Sequence, residues 1–157
     1  MLDTNVVLDF MLTREPYYPD TRILMLLGYI NEVELWISSA QINDLFYILT
    51  KGGKSAFNED AKQSLKRLRQ CVNVYRTGEL EIDAVLDSAW LDLEDSYLYQ
   101  SALSMKADYI ITRNQRDFAL SSIKVFDTAE LLAYLREHAG TTYAEIDLAT
   151  VGLYDTN

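Results

Sequence analysis

The chain is predicted to fold as an α/β protein, a three-layer α/β/α sandwich in which a parallel sheet carries helices on both faces. Three observations predict it. Short apolar runs alternate along the chain with segments whose apolar residues recur at helical spacing, and strands alternating with helices require parallel crossovers. At 157 residues the chain has the usual size of one domain, enough to bury a sizeable core. Hydrophobic residues make up 49% of it against only two prolines, which excludes general disorder.

The elements follow in order. Met1 to Thr4 begins as a strand with Asp3 at its carboxyl end, and Asn5 to Leu12 turns into a short helix. Pro16 and Pro19 mark a loop. Asp20 then caps a helix whose apolar positions Ile23, Leu24, Leu27 and Ile30 recur at helical spacing. Val33 to Ile37 is a second strand, ending at Ser38 and Ser39. Ala40 to Thr50 is apolar on one face (Ile42, Leu45, Phe46, Leu49), hence helical, and Gly52 and Gly53 close it. Asn58 caps a helix running to Gln70, and Val72 to Tyr75 alternates as a third strand.

Leu80 to Leu91 is helical. Asp92 caps the next helix, with Asp95 three residues on as an acidic capping-box partner. Tyr109, Ile110 and Ile111 form a fourth strand, and Ile123 to Phe126 a fifth. Asp127 with Glu130 forms a capping box for a helix ending near His138 and Gly140. The main domain thus covers 1–139. Residues 140–157 are a C-terminal tail without clear period, expected to be held by its own domain or a neighbouring subunit.

Composition excludes several function classes. No apolar run approaches the ~18 residues of a membrane helix, and Asp3 follows Met1 too closely for a signal peptide. The single cysteine, Cys71, cannot form an internal disulfide and reads as a buried small hydrophobe. A cytoplasmic protein without a membrane partner is expected. Twenty-four acids against fourteen bases give a net charge of −10, poorly suited to general phosphate attraction. The charge is uneven, however. Seven bases (Lys51, Lys54, Lys62, Lys66, Arg67, Arg69, Arg76) fall between residues 51 and 76, whereas 79–95 holds seven acids and no base. An acidic pocket beside a basic surface suits a metal-dependent enzyme acting on a polyanion; two ordinary solvated faces would look the same.

The acids carry the functional signal. Asp3, Asp44 and Asp117 stand near strand ends or in the helices that follow them, and Asp95 opens the helix before the fourth strand. Ligands of an open parallel sheet bind outside the carboxyl ends of its strands, so these four carboxylates are expected to converge there on a divalent metal. Each has a structural alternative: Asp95 a helix N-terminal residue offsetting the dipole, Asp117 a turn residue, Asp44 a solvated helix residue. Asp92 and Glu94 read as capping residues, with a site role as the alternative. Trp90, Tyr97 and Tyr99 read as core or interface aromatics. His138, the only histidine, reads as a solvated helix end.

Taken together, LDTNVVLDF at the start, SSAQINDLFYIL in the middle and DLEDSYLYQSALSMKADYIITRNQRDF resemble a PIN domain over residues 2 to 132. That family comprises metal-dependent ribonucleases and includes toxins of VapC type. The resemblance implies a central five-stranded parallel sheet, Mg²⁺ or Mn²⁺ held by acidic side chains, and hydrolysis of RNA by an activated water. Asp3 matches the family's first acid, in the DTN motif; Asp44 falls where the family most often has Glu. Asp95 matches the acid of the ED pair, and Asp117 the acid preceding Phe. Asn5, Thr112 and Asn114 match polar positions that support the site. Two features depart from the pattern: Asp44 is one methylene short of the usual Glu, and the first strand is short before Asp3.

Chemistry accounts for such a set. Phosphodiester cleavage needs a nucleophile at neutral pH and compensation of charge on two oxygens, both within reach of Mg²⁺. That ion prefers hard oxygen ligands, so carboxylates suffice without His or Cys. The expected function is therefore a metal-dependent endoribonuclease, the toxin of a toxin–antitoxin pair, with an RNA substrate, an antitoxin partner and a homodimeric state. A catalytically weakened PIN domain serving as a binding or scaffold module is the alternative. A metal phosphatase on a related sheet is a third reading, expected to show a closed, substrate-sized pocket.

Overall fold

In the computed structural model, which describes residues 1–139, strands of only three residues are set between seven helices. The expected 140–157 tail and the helix stop at Gly140 lie outside the described residues. β1 (Trp36–Ser38) pairs in parallel with β2 (Asn73–Tyr75), Trp36 opposite Asn73 and Ser38 opposite Tyr75. β3 (Tyr109–Ile111) pairs in parallel with β4 (Lys124–Phe126), Tyr109 opposite Lys124 and Ile111 opposite Phe126. Residues 1–3 are bonded to both pairs. Leu2 N donates to Trp36 O at 2.8 Å, Ile111 N to Met1 O at 2.9 Å and Asp3 N to Ile111 O at 2.9 Å. They form a single parallel bridge, Leu2 to Ile111, because Thr4 already enters the first helix. The expected five strands thus stand as two two-stranded sheets with the first segment hydrogen-bonded to each.

Helices cover both faces of this layer. Side chains alternate across a strand, and β3 shows it. Ile111 joins a large cluster with Leu2, Val6, Val7, Leu24, Ile37, Leu45 and Leu68, while Ile110 joins a second cluster with Leu98, Tyr99, Ala102 and Phe118. The first is roofed by α1 (Thr4–Met11), α2 (Tyr18–Tyr29), α3 (Gln41–Leu49), α4 (Asn58–Leu68) and α7 (Thr128–Ala139). The second is built on α6 (Leu93–Ser104), against which α5 (Glu79–Leu86) packs. Among the described residues no helix is long and apolar enough to cross a membrane.

Helix starts differ from the sequence reading at three places. Asp20 does not cap: α2 begins at Tyr18 with Pro19 in its first turn, where a missing N–H costs nothing, and Asp20 sits in that turn against the dipole. Asn58 does not cap either, because a 3₁₀ turn at Ser55–Phe57 leads directly into α4 and makes Asn58 its first residue. Asp92 does cap α6, accepting from the N–H of Glu94 at 2.8 Å and of Asp95 at 3.2 Å, but among the described residues no bond returns from Asp95. The box at α7 is reciprocal: Asp127 N donates to Glu130 Oε2 at 2.9 Å and Glu130 N to Asp127 Oδ1 at 2.8 Å. The helix expected over Leu80–Leu91 stops at Leu86, and exposed Leu91 and Leu93 flank the turn into α6.

Candidate active site at the carboxyl end of the strands

Asp3 is fixed by the junction it occupies. As the residue between the first paired segment and α1, it takes an extended backbone and caps that helix, its Oδ1 accepting from Asn5 N at 3.3 Å. Its Oδ2 accepts from Asn5 Nδ2 at 2.5 Å and from the Thr112 hydroxyl at 2.6 Å. Thr112, directly after β3, is fully buried. Having donated to Asp3, its oxygen accepts from Asn5 Nδ2 at 3.1 Å and from Asn114 N at 2.9 Å. Asn5 Oδ1 in turn accepts from Arg113 N at 3.3 Å. Asp3, Asn5, Thr112 and Asn114 therefore form one network across more than a hundred residues of chain. Burial raises the Asp3 carboxyl above its ordinary range, and the Thr112 hydrogen bond only partly opposes it.

Asp95 lies in the first turn of α6 and is half-buried. Its pKa is pushed up to about 7, first by burial and then by the charges of Asp92, Asp3, Asp117 and Glu94. Asp117, in the 3₁₀ turn Gln115–Phe118 that follows β3, is exposed and reaches the group through that repulsion. Asp44, exposed in the first turn of α3, is felt at Glu94. Burial also raises Glu94, with Asp44, Asp3 and Asp92 adding repulsion and a hydrogen bond from Thr4 opposing it.

All four predicted acids thus lie within electrostatic reach of one another or of a shared neighbour. They are held apart: among the described residues no three His, Cys, Asp or Glu side chains are spaced to enclose an ion.

Three further residues take part beyond the four predicted acids and their polar supports. Glu94 was read chiefly as a capping residue, yet the cap is Asp92, and the charges of Asp44 and Asp3 are both felt at Glu94. Gln41 is fully buried and ties α3 to the strands: its Oε1 accepts from Ser38 N at 2.7 Å, and its Nε2 donates to Leu2 O at 3.0 Å and Thr4 Oγ1 at 3.1 Å. Its signal was the position after Ser38-Ser39-Ala40, at a strand-to-helix turn. Arg113 is the third; its guanidinium lies against Asp9 and Tyr17. Trp90 stacks on Tyr99 at 4.9 Å and meets Phe118 edge-on, as a core aromatic does. His138 is exposed, its Nδ1 2.8 Å from Tyr134 O, at the end of α7.

Comparison with known proteins identifies the family and the fold. A family model described as PIN domain matches residues 1–116. Among solved structures, the crystal structure of VapBC2 from Rickettsia felis bound to a DNA fragment from their promoter is similar in fold. The TM-score is 0.60 at 17% identity, covering 81% of this chain and 96% of that one. No curated protein matches.

Proposed function

The chain belongs to the PIN domain family, and from that premise we propose that it is a metal-dependent endoribonuclease hydrolysing RNA phosphodiester bonds. The observation that carries the reading is Asp3, buried and clamped by Asn5 and Thr112, with its charge felt at an Asp95 that burial and repulsion push up to about 7. Mutually repelling carboxylates at the carboxyl end of parallel strands suit a cation. The donor set is entirely hard oxygen, which fits Mg²⁺ or Mn²⁺ and not a thiolate or imidazole metal. Asp3 and Asp95 would hold the ion, with Asp44, Asp117 and Glu94 around them. When bound, it supplies charge that lowers the pKa of water and offsets negative charge on the attacking and leaving oxygens.

The remaining work falls to the chain. Asn5 and Thr112 keep the Asp3 carboxylate in one orientation, so no reorganisation is needed when substrate arrives. Burial and neighbouring charges raise Asp95 to about 7, so a cation held there would compete with its proton. The seven bases between Lys51 and Arg76 are all exposed and offer a surface for the phosphate backbone, which the acidic remainder of the chain repels.

The same reading takes the two strand pairs and residues 1–3 as one five-stranded sheet, and the protein as a cytoplasmic, homodimeric toxin with an antitoxin partner. The likeness to the VapBC2 complex supports the last point. A catalytically weakened PIN domain would keep the same fold, and a cleavage assay separates the two. Purified protein is incubated with varied RNAs and Mg²⁺ or Mn²⁺ beside Asp3→Asn. Cleavage by wild type alone is expected; equal activity in both proteins removes Asp3 from the mechanism, and none in either leaves a scaffold.

A further inference from the structure

Asp9 is fully buried in α1, and neither of its carboxylate oxygens has a hydrogen bond. Its compensation is ionic. Arg113 Nε lies 3.0 Å from Oδ2 and Arg14 Nη1 3.9 Å from Oδ1. Arg113 Nε is likewise buried without a hydrogen bond, and its guanidinium lies 4.5 Å over the Tyr17 ring. A buried ion pair without hydrogen bonds is a poor source of stability, since apolar side chains of the same volume would do as well or better. Such unsatisfied groups in a core call for another explanation.

The position of Arg113 supplies one. It stands between Thr112, which clamps Asp3, and Asn114, and its own backbone N–H holds Asn5. It is thus a cation placed next to the acids a divalent ion would need, and its charge is felt at Asp3. A cavity of about 390 Å³, lined by Asp9, Tyr17, Arg113 and Asp127 among others, leaves the side chain room to move.

We propose that Asp9 is a positioning residue of the acidic site: it holds the Arg113 guanidinium against Tyr17, away from Asp3, so that the Thr112–Asn114 turn stays closed on Asp3 and the acids remain free for a divalent cation. This rests on the metal-site reading above. Without the Asp9 charge, Arg113 loses its buried partner and competes with the cation for the acids. Asp9 therefore acts through Arg113, and its effect on metal affinity exists only while Arg113 is present.

The test is a double-mutant cycle on the full chain, with Mn²⁺ as the probe. Free Mn²⁺ is counted by electron paramagnetic resonance for wild type, Asp9→Asn, Arg113→Gln and the double variant, and each is melted to establish that it folds. Asp9→Asn is expected to raise the Mn²⁺ Kd roughly tenfold, the loss typical of a residue that orients a ligand. In the Arg113→Gln background the same change is expected to move Kd by less than about twofold, since the partner is gone. Equal changes in both backgrounds would mean a simple field of the Asp9 charge, and an unchanged Kd in folded Asp9→Asn a purely structural ion pair; either overturns the inference. Should Asp9→Asn fail to fold, Asp9→Glu takes its place, keeping the charge but displacing the guanidinium, and an unchanged Kd there is equally fatal. A wild type that binds no Mn²⁺ overturns the metal site itself, whereas RNA left uncut by Mn²⁺-loaded wild type counts against the nuclease alone.

Discussion

Thr112 is the residue on which most of the site depends, because one hydroxyl serves three partners. It donates to Asp3 Oδ2 and accepts from Asn5 Nδ2 and Asn114 N. Thr112→Val keeps the shape and removes all three bonds, leaving buried polar groups unpaired. A loss of about 1–3 kcal/mol is expected, measured by urea unfolding, together with a weakened Mn²⁺ response; an unaltered midpoint would show that the network bears no weight. Asp92 separates two roles that the sequence merges. It caps α6 and also raises Asp95 by its charge. Asp92→Asn keeps the cap, so stability should change by only a few tenths of a kcal/mol, yet the Asp95 pKa should come down from about 7. Carbon-13 NMR titration of the Asp95 carboxyl reads this directly, and an unmoved value would remove Asp92 from the electrostatics.

At the scale of elements, the strand-and-helix alternation was legible, and the reasons are local. Tyr109-Ile110-Ile111 is found as expected because both its faces are buried and a continuous apolar run results. Val33–Ile37 was placed too early: the paired strand is Trp36–Ser38, since Ser38, a polar residue, is buried and bonded by Gln41 instead of by an apolar neighbour. Sequence periodicity cannot see such a partner, which is nearby in space but set by the turn geometry. The acids at strand ends were legible as types, while the Asp9–Arg113 pair was not, because it depends on which face of α1 the tertiary packing turns inward and on where the turn after β3 brings Arg113.

Gly28 shows a constraint of the same kind inside α2. A Cβ there would meet Cys71 O at 2.5 Å and Leu35 Cδ1 at 2.6 Å. Helix propensity alone favours Ala over Gly by about 1 kcal/mol. The clash with a backbone carbonyl outweighs it, because neither α2 nor the Cys71 turn can retreat without opening the large core. Gly28→Ala is therefore expected to destabilise by about 1–3 kcal/mol, seen as a lower denaturation midpoint. A rise in stability would mean that α2 can shift freely.

For the whole molecule, charge and folding are coupled through pH. The Asp95 pKa is raised from 3.8 to about 7, so the folded protein keeps a proton over a range in which the unfolded chain has released it. The sign follows. The group's contribution to stability is complete below about 3.8 and is lost as pH rises toward about 7, after which it stays constant. Asp3, also raised by burial, acts in the same direction. The net charge of −10 at pH 7 adds a general self-repulsion with a similar trend.

Two controls separate the local effect from the general one. Added salt screens the diffuse repulsion but reaches a half-buried carboxylate poorly. Asp95→Asn removes the local titration while changing the net charge by only one. In chelator and moderate salt, melting temperature should therefore fall for wild type between pH 4.5 and 7.5 more steeply than for Asp95→Asn. Millimolar Mn²⁺ should reverse the difference, since the ion binds the deprotonated carboxylate and stabilises the folded state by mass action, more at pH 7.5 than at pH 5. Parallel wild-type and Asp95→Asn curves in chelator would show that Asp95 titrates as an ordinary surface acid. A Mn²⁺ shift of equal size at both pH values would mean that the ion binds somewhere other than this carboxylate group.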